Sequence, residues 1–232
     1  MIDPAPGSGS WNMGVDALLL ESAVESEVCS LRFYGWDQPT LSLGYFQESN
    51  PGAIPDELAD LPVVRRLSGG GAIVHDQELT YSCALPARHP LSSAPRELYT
   101  HVHKLVMGVL AGFGIAAQLR GEGSPEKAAE FLCFGRGDDF DLVVQGHKVL
   151  GSAQRRRKGA ILQHGSLVLR GSRRTPQLPG LWDLTQKRLL PLELADQLSQ
   201  AIGSLLASHL RLAQLTPAES RHVMASVQSR EG

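Results

Sequence analysis

Val63-Val64-Arg65-Arg66-Leu67-Ser68-Gly69-Gly70-Gly71-Ala72-Ile73-Val74-His75-Asp76-Gln77-Glu78-Leu79-Thr80-Tyr81-Ser82-Cys83-Ala84-Leu85 is the stretch on which the fold class turns. VVRRL is rich in strand formers, and SGGG breaks it. AIVH resumes the strand pattern, and LTYSCAL alternates apolar and small polar residues. The stretch therefore predicts strand, glycine turn, strand, strand, with no helix between. Outward from it the same grammar recurs. VCSLRFY (28–34) and TLSLGY (40–45) are strand-like runs separated by Gly35, Asp37 and Pro39. FDLVVQGHKVL (140–150) predicts a hairpin with Gly146 near its turn, and AILQHGSLVLR (160–170) a strand pair or one long bent strand. Helical spacing appears over 13–24, with Asn12 as N-cap, over 96–118, and over 192–212. The segment 51–62 carries three prolines and predicts a loop with a short helix; 120–138 is a glycine-rich loop with a short helix at 126–131. Strands cluster as hairpins rather than alternating with helices. The expected class is α+β, a mixed, largely antiparallel sheet flanked by helices.

The 232 residues are 42% hydrophobic and 20% charged, with a formal net charge of −2. A chain of this size buries roughly 70% of its unfolded surface. The near-neutral balance argues against nucleic-acid binding driven by phosphate neutralisation. Three cysteines, Cys29, Cys83 and Cys133, imply no disulfide framework and fit a reducing, cytoplasmic compartment. No apolar run approaches the roughly 18 to 20 residues needed to span a bilayer, and the first residues show no secretory pattern. Residues 1–10, rich in Pro, Gly and Ser, are expected as a flexible leader, with 11–232 forming a single domain.

Three segments carry chemistry. In Arg65–Asp76, three consecutive glycines are useful where backbone must approach a ligand, and their N–H groups can form an anion nest flanked by arginines; the bland alternative is a flexible hairpin tip. The phosphate-loop pattern G-x-x-x-x-G-K-[ST] is absent. In Gly146–Arg155, Lys148 lies in a short hairpin ending in Gly151-Ser152-Ala153, and can point into a site or be solvated. In Phe131–Gly135, Cys133 is loop-like, whereas Cys29 and Cys83 sit in strand patterns as small core residues. A loop cysteine near a lysine can have a lowered pKa and act as a thiolate. His101-x-His103 would point apart on a helix, which disfavours a metal pair. No metal site is expected. The basic run Arg155-Arg156-Arg157-Lys158 is either a solvated loop or a docking patch for an acidic partner.

Taken together, RR-x-SGGGA-x-x-HD (65–76), followed by G-x-K-x-x-GSAQ-R (146–155), Asn12–Asp16, Leu31–Trp36, Ser42–Gln47, Leu79–Ser82, Cys133-Phe134, Asp141–Val144 and Gln163–Ser166, resembles the lipoate–protein ligase / octanoyltransferase family over roughly residues 11–170. The resemblance implies the catalytic fold shared by biotin and lipoate ligases. It also implies an elongated acyl pocket bordered by Arg66, Ser68, Gly69, Gly70, Gly71, Ala72, His75, Gly151, Ser152, Ala153, His164 and Gly165. An octanoyl chain can draw roughly 5 kcal/mol from such a slot, at about 0.8 kcal/mol per methylene.

Within the family, ligases activate a free acid with ATP and Mg, whereas transferases take octanoyl from acyl carrier protein through a cysteine thioester. The Cys-Phe loop upstream of the lysine strand resembles the cysteine-dependent transferases, closest of the family's branches. The resemblance thus implies an octanoyl-[acyl carrier protein]:protein N-octanoyltransferase of lipoate biosynthesis, needing no cofactor, with Cys133 and Lys148 catalytic. Its partners would be octanoyl-acyl carrier protein and lipoyl domains of 2-oxoacid dehydrogenases or the glycine-cleavage H protein, with no nucleic acid and no membrane. The alternatives are an ATP-dependent lipoate ligase, an amidotransferase moving octanoyl or lipoyl between H protein and lipoyl domains, and a binder without turnover. Biotin ligase is disfavoured because GRGRxGR is absent.

Overall fold

The structure, a computed structural model, describes residues 1–3, 5–48, 52–121, 131–132 and 137–231. Cys133 and Phe134, and nearly all of the short helix expected at 126–131, lie outside the described residues.

The long sheet has the order β1-β5-β9-β8-β7-β6. Its strands are β1 (Ser30–Tyr34), β5 (Glu78–Leu85), β6 (Gln118–Leu119), β7 (Leu142–Val144), β8 (His147–Arg157) and β9 (Ala160–Val168), and every neighbouring pair is antiparallel. A second sheet, β3-β2-β4, joins β2 (Thr40–Leu43) in parallel to β3 (Val63–Arg65) and antiparallel to β4 (Ile73–His75). The expected mixed, largely antiparallel class is what forms. The β7–β8 and β8–β9 turns each place two residues at positive φ, Gln145-Gly146 and Lys158-Gly159, the two-residue geometry that matches strand twist. The stretch read over 160–170 accordingly holds one strand, Ala160–Val168, paired along its length with both β5 and β8.

Helices cover both faces. On one, α2 (Pro95–Gly112) and α4 (Pro191–Leu206) pack Leu98, Val102, Leu194 and Leu198 against Tyr81, Cys83, Leu85 and Leu150 of the sheet. On the other, α1 (Gly9–Glu25) sets Val15, Leu19 and Leu20 against Ala84 and Leu162, with Val223 of α5 (Pro217–Glu231) behind it. A short helix, α3 (Leu181–Thr185), precedes α4. All of β5 is buried, although Thr80 and Ser82 alternate with apolar neighbours as they would on a strand facing water. Their face is the floor of a buried polar site.

Four local expectations are corrected. The first helix starts at Gly9 with Ser8 as N-cap; Asn12 lies one turn inside, where its amide donates to the carbonyls of Gly7 and Gly35. Residues 1–10 do not stand loose where described: Ile2 bridges Phe33, Gly7 bridges Trp36, and Asp3 pairs with Arg32 at 2.6 Å. The partners are 29 to 31 positions away, so local composition carried no trace of them. The helical pattern read over 96–118, with Gly114 as its stop signal, ends at Gly112, and Gly114 itself turns to φ +68°. The 192–212 helix stops at Leu206, because Leu210 folds back against Gly203.

Candidate functional site

The glycine loop connects β3 to β4 and is pinned by Arg66. This buried guanidinium donates to the carbonyls of Ser42, Gly69 and Gly71 and to the Ser42 hydroxyl, at 2.6 to 3.2 Å. Gly44 packs so closely that a Cβ there would sit 2.0 Å from the Gly70 carbonyl oxygen, with Gly70 itself at φ +93°. The triple glycine is therefore a braced arch and not a flexible tip. Ala72 extends it sideways: it bridges Leu132, and its N–H donates to the Phe131 carbonyl at 3.0 Å.

Two buried histidines stand beneath the arch. His75 Nδ1 donates to Glu78 at 2.7 Å and its Nε2 bonds Ser42 Oγ at 2.7 Å. The ring stacks on Trp36 with centroids 3.8 Å apart, while Trp36 donates to Thr80 and Thr80 to Glu78. The imidazole thus keeps the Glu78 carboxyl below its ordinary range despite burial, which pushes the other way. His164 bonds Ser68 Oγ through Nε2 and donates through Nδ1 to Asp16 at 3.1 Å. Asp16 also accepts from Ser82 at 2.7 Å and Tyr34 at 3.1 Å, and lies 3.5 Å from Arg32. Burial alone would raise the Asp16 pKa; His164, Arg32 and Ser82 outweigh it, and the net shift is downward. A Ser68–His164–Asp16 array thus ties the loop to the sheet and to α1.

Lys148 is buried at the start of β8, its Nζ 3.0 Å from Asp141 Oδ1. Burial raises the Asp141 pKa, and the Lys148 charge opposes that rise. Gly151 makes room for the pair: a Cβ there would meet Lys148 Cε at 2.6 Å. Arg66, His75, Gly151, Ala153, His164 and Gly165 all line one cavity of about 30 Å³ on the α1 side of the sheet. Gly69, Gly70, Gly71 and Ala72 form the arch above it, and Ser68 reaches it through His164. Ser152 borders the cavity too, but its hydroxyl is engaged elsewhere, with Tyr81 and His103. The basic run ends at the β8–β9 tip; Arg155 lies over the Tyr45 ring at 4.7 Å and the other three side chains are exposed.

Sequence reasoning missed Asp16, Glu78, Asp141 and Trp36 as site residues. One signal was present. Asp16 follows Asn12 by four and precedes Leu19 and Leu20 by three and four, so it lies on the buried stripe of its helix. Nothing local marked Glu78 or Asp141.

His103 also belongs to a buried polar network. It is a buried link whose Nδ1 donates to the Phe140 carbonyl and whose Nε2 accepts from Ser152. Ser152 accepts in turn from Tyr81, and Tyr81 from Gln163. Desolvation lowers the His103 pKa to about 4. The unfolded chain, with its ordinary histidine, binds more protons between pH 6.5 and 4, so stability rises with pH across that window. Acidification from pH 7 to 4 is expected to cost up to about 3 kcal/mol through this residue. His103→Gln should flatten that part of the stability–pH curve in urea melts; an unchanged curve would refute the neutral-histidine account.

A family model described as the lipoyl protein ligase A/B catalytic domain matches residues 8–177. Among curated proteins, the Octanoyltransferase LipM of Anoxybacillus flavithermus is 39% identical over 181 residues, 72% of this chain and 64% of its own length. That of Brevibacillus brevis is 41% identical over 175 residues, 70% of this chain and 62% of its own length. This chain thus spans less than two thirds of these relatives. Among solved structures, a putative lipoate protein ligase from T. acidophilum superposes with TM-score 0.75 at 20% identity, covering 99% of this chain and 92% of that one. Lipoate-protein ligase A bound with ATP gives TM-score 0.73 at 19% identity, covering 98% and 92%. These two likenesses establish the fold. By the match over 8–177, which takes in the arch, both histidines and the lysine strand, the chain belongs to the lipoyl protein ligase A/B catalytic domain family.

Proposed function

We propose that the protein is an octanoyltransferase of lipoate biosynthesis, moving octanoyl through a thioester on Cys133 to a lysine of a lipoyl domain or the glycine-cleavage H protein. The similarity to proteins named Octanoyltransferase LipM, at 39% and 41% identity, carries the reading. Two features of the site agree with it. Lys148 is a buried cation packed against Gly151, which lines the cavity. Phe131 and Leu132, which precede Cys133 directly in the chain, are hydrogen-bonded and bridged to Ala72 of the glycine arch.

In the proposed sequence the Cys133 thiolate attacks the octanoyl thioester of the carrier protein. The C–S bond to the carrier breaks, and the leaving thiolate takes up a proton. Lys148 favours the thiolate form of Cys133 electrostatically, and backbone N–H groups of the arch or near Lys148 steady the oxyanion. The acceptor lysine, as the free amine, then attacks the acyl-enzyme and regenerates the cysteine. The first exchange is nearly balanced and the second, thioester to amide, is downhill, so no ATP enters. Asp141 keeps Lys148 in place and partly neutralises it. We place the enzyme in the cytoplasm; among the described residues no helix is long and apolar enough to cross a membrane.

The test is intact mass after mixing with octanoyl-acyl carrier protein, without ATP or acceptor. A single octanoyl adduct labile to hydroxylamine is expected. Labelling from octanoyl-H protein alone would mean the amidotransferase. No adduct from either donor, with acceptor labelling by free lipoate and Mg-ATP, would overturn the reading in favour of a ligase.

A further inference from the structure

The cavity lined by Gly151, against which Lys148 packs, measures about 30 Å³, room for one or two water molecules and not for an eight-carbon chain. Something at its boundary must move when an acyl group enters. Among the described residues, the polar side chains around it are held. The Arg66 guanidinium is gripped by Ser42 and the arch carbonyls, and His75, Thr80 and His164 sit in the networks described above. Trp36 is fixed by its bond to Thr80 and its stack on His75. Of the two aliphatic side chains longer than alanine, Ile73 is β-branched and set in β4, hence stiff. The other is Met13, unbranched, with rotatable bonds along its chain and no directional anchor.

Met13 also has somewhere to go. It packs on Tyr34, Trp36 and Val64 and lines a second cavity of about 420 Å³, bounded by Tyr45, Val64, Leu67 and Val227. Among the described residues, only Met13 and Arg66 border both spaces, and Arg66 is locked. Gly151 also lines the small cavity, and Lys148 packs directly against it. We propose that Met13 is the specificity-determining wall of the acyl site: it turns aside into the larger cavity as the chain enters, and its bulk sets how far the tail extends from the Lys148 end. This rests on the acyl-transfer reading above and names the residue that selects chain length within it.

The test is calorimetric binding of straight-chain fatty acids of 6, 8, 10, 12 and 14 carbons to the full chain, with no turnover required. Wild type should bind the eight-carbon acid tightest. Met13→Ala, which joins the two cavities, should raise the affinity for the twelve-carbon acid relative to the eight-carbon acid at least about tenfold. Met13→Phe should weaken the eight-carbon acid about tenfold while sparing the six-carbon acid, and serves if the alanine variant fails to fold by circular dichroism. Length preference unchanged from wild type in a folded variant, with eight-carbon binding intact, would overturn the role of Met13 and leave the acyl site standing. No binding of any acid by wild type would overturn the acyl reading itself, and this inference with it.

Discussion

Replacing Cys133 by alanine is expected to abolish the octanoyl adduct and to lower transfer from octanoyl-carrier protein to a lipoyl domain at least about a thousandfold. The carrier thioester and the acceptor amine would otherwise have to react directly, and alanine offers no atom on which to hold the acyl group between the two partners. Neither of the other cysteines is placed to substitute. Cys83 is fully buried in β5, and desolvation pushes its thiol up to about 12, far from a thiolate at neutral pH. Burial likewise raises the Cys29 thiol, and Cys29 packs at the edge of the core on the α2 face of the sheet, opposite the cavity. The measurement is single-turnover transfer followed by intact mass. Acceptor labelling by Cys133→Ala with free lipoate and Mg-ATP, at the wild-type rate, would show that the cysteine plays no covalent part.

Asp16→Asn is expected to be the most destabilising of the conservative changes, by about 3 to 5 kcal/mol. The carboxylate faces four donors at once: Ser82, Tyr34, His164 and the buried Arg32. An amide presents one acceptor oxygen and a donor in the same space, so at least one of these groups is left facing an N–H. Arg32 is fully buried and would depend on Asp3 alone for ionic compensation. For a domain of this size the loss corresponds to a fall in Tm of roughly 6 to 20 °C. The carboxyl is held below its ordinary value, so its contribution is present at neutral pH and disappears only as pH falls below about 4. The wild-type advantage should therefore shrink in acid. Asp16→Asn melting within 2 °C of wild type at pH 7 would show that the network contributes little. A double variant, Asp16→Leu with Arg32→Met, should recover part of the loss, because removing both charges removes the unpaired one.

Both predictions depend on residues that the chain reveals in different ways. Cys133 is visible in sequence through its motif, and the role proposed for it is chemical, resting on the thiol itself. Asp16 is visible only as a polar residue on an apolar helical stripe. Its importance comes from partners 16, 18, 66 and 148 positions away.

The class of fold and the two segments that border the site are legible along the chain. Strand alternation, hairpin glycines and helical spacing are local signals, set by two or four neighbouring residues, and a motif such as Ser68-Gly69-Gly70-Gly71-Ala72 is read in one glance along the chain. Tertiary structure alone decided which polar residues meet. Thr80, Ser82, His164 and Ser166 alternate along their strands as solvent-facing residues do, and become a buried floor only because α1 and the second sheet cover that face. The same packing pairs Glu78 with His75 and Asp141 with Lys148, and turns the Ser152 hydroxyl away from the cavity toward His103. It also sets Met13 between two cavities. Burial is a property of what lies opposite a residue in space, and no local pattern of residues carries that information.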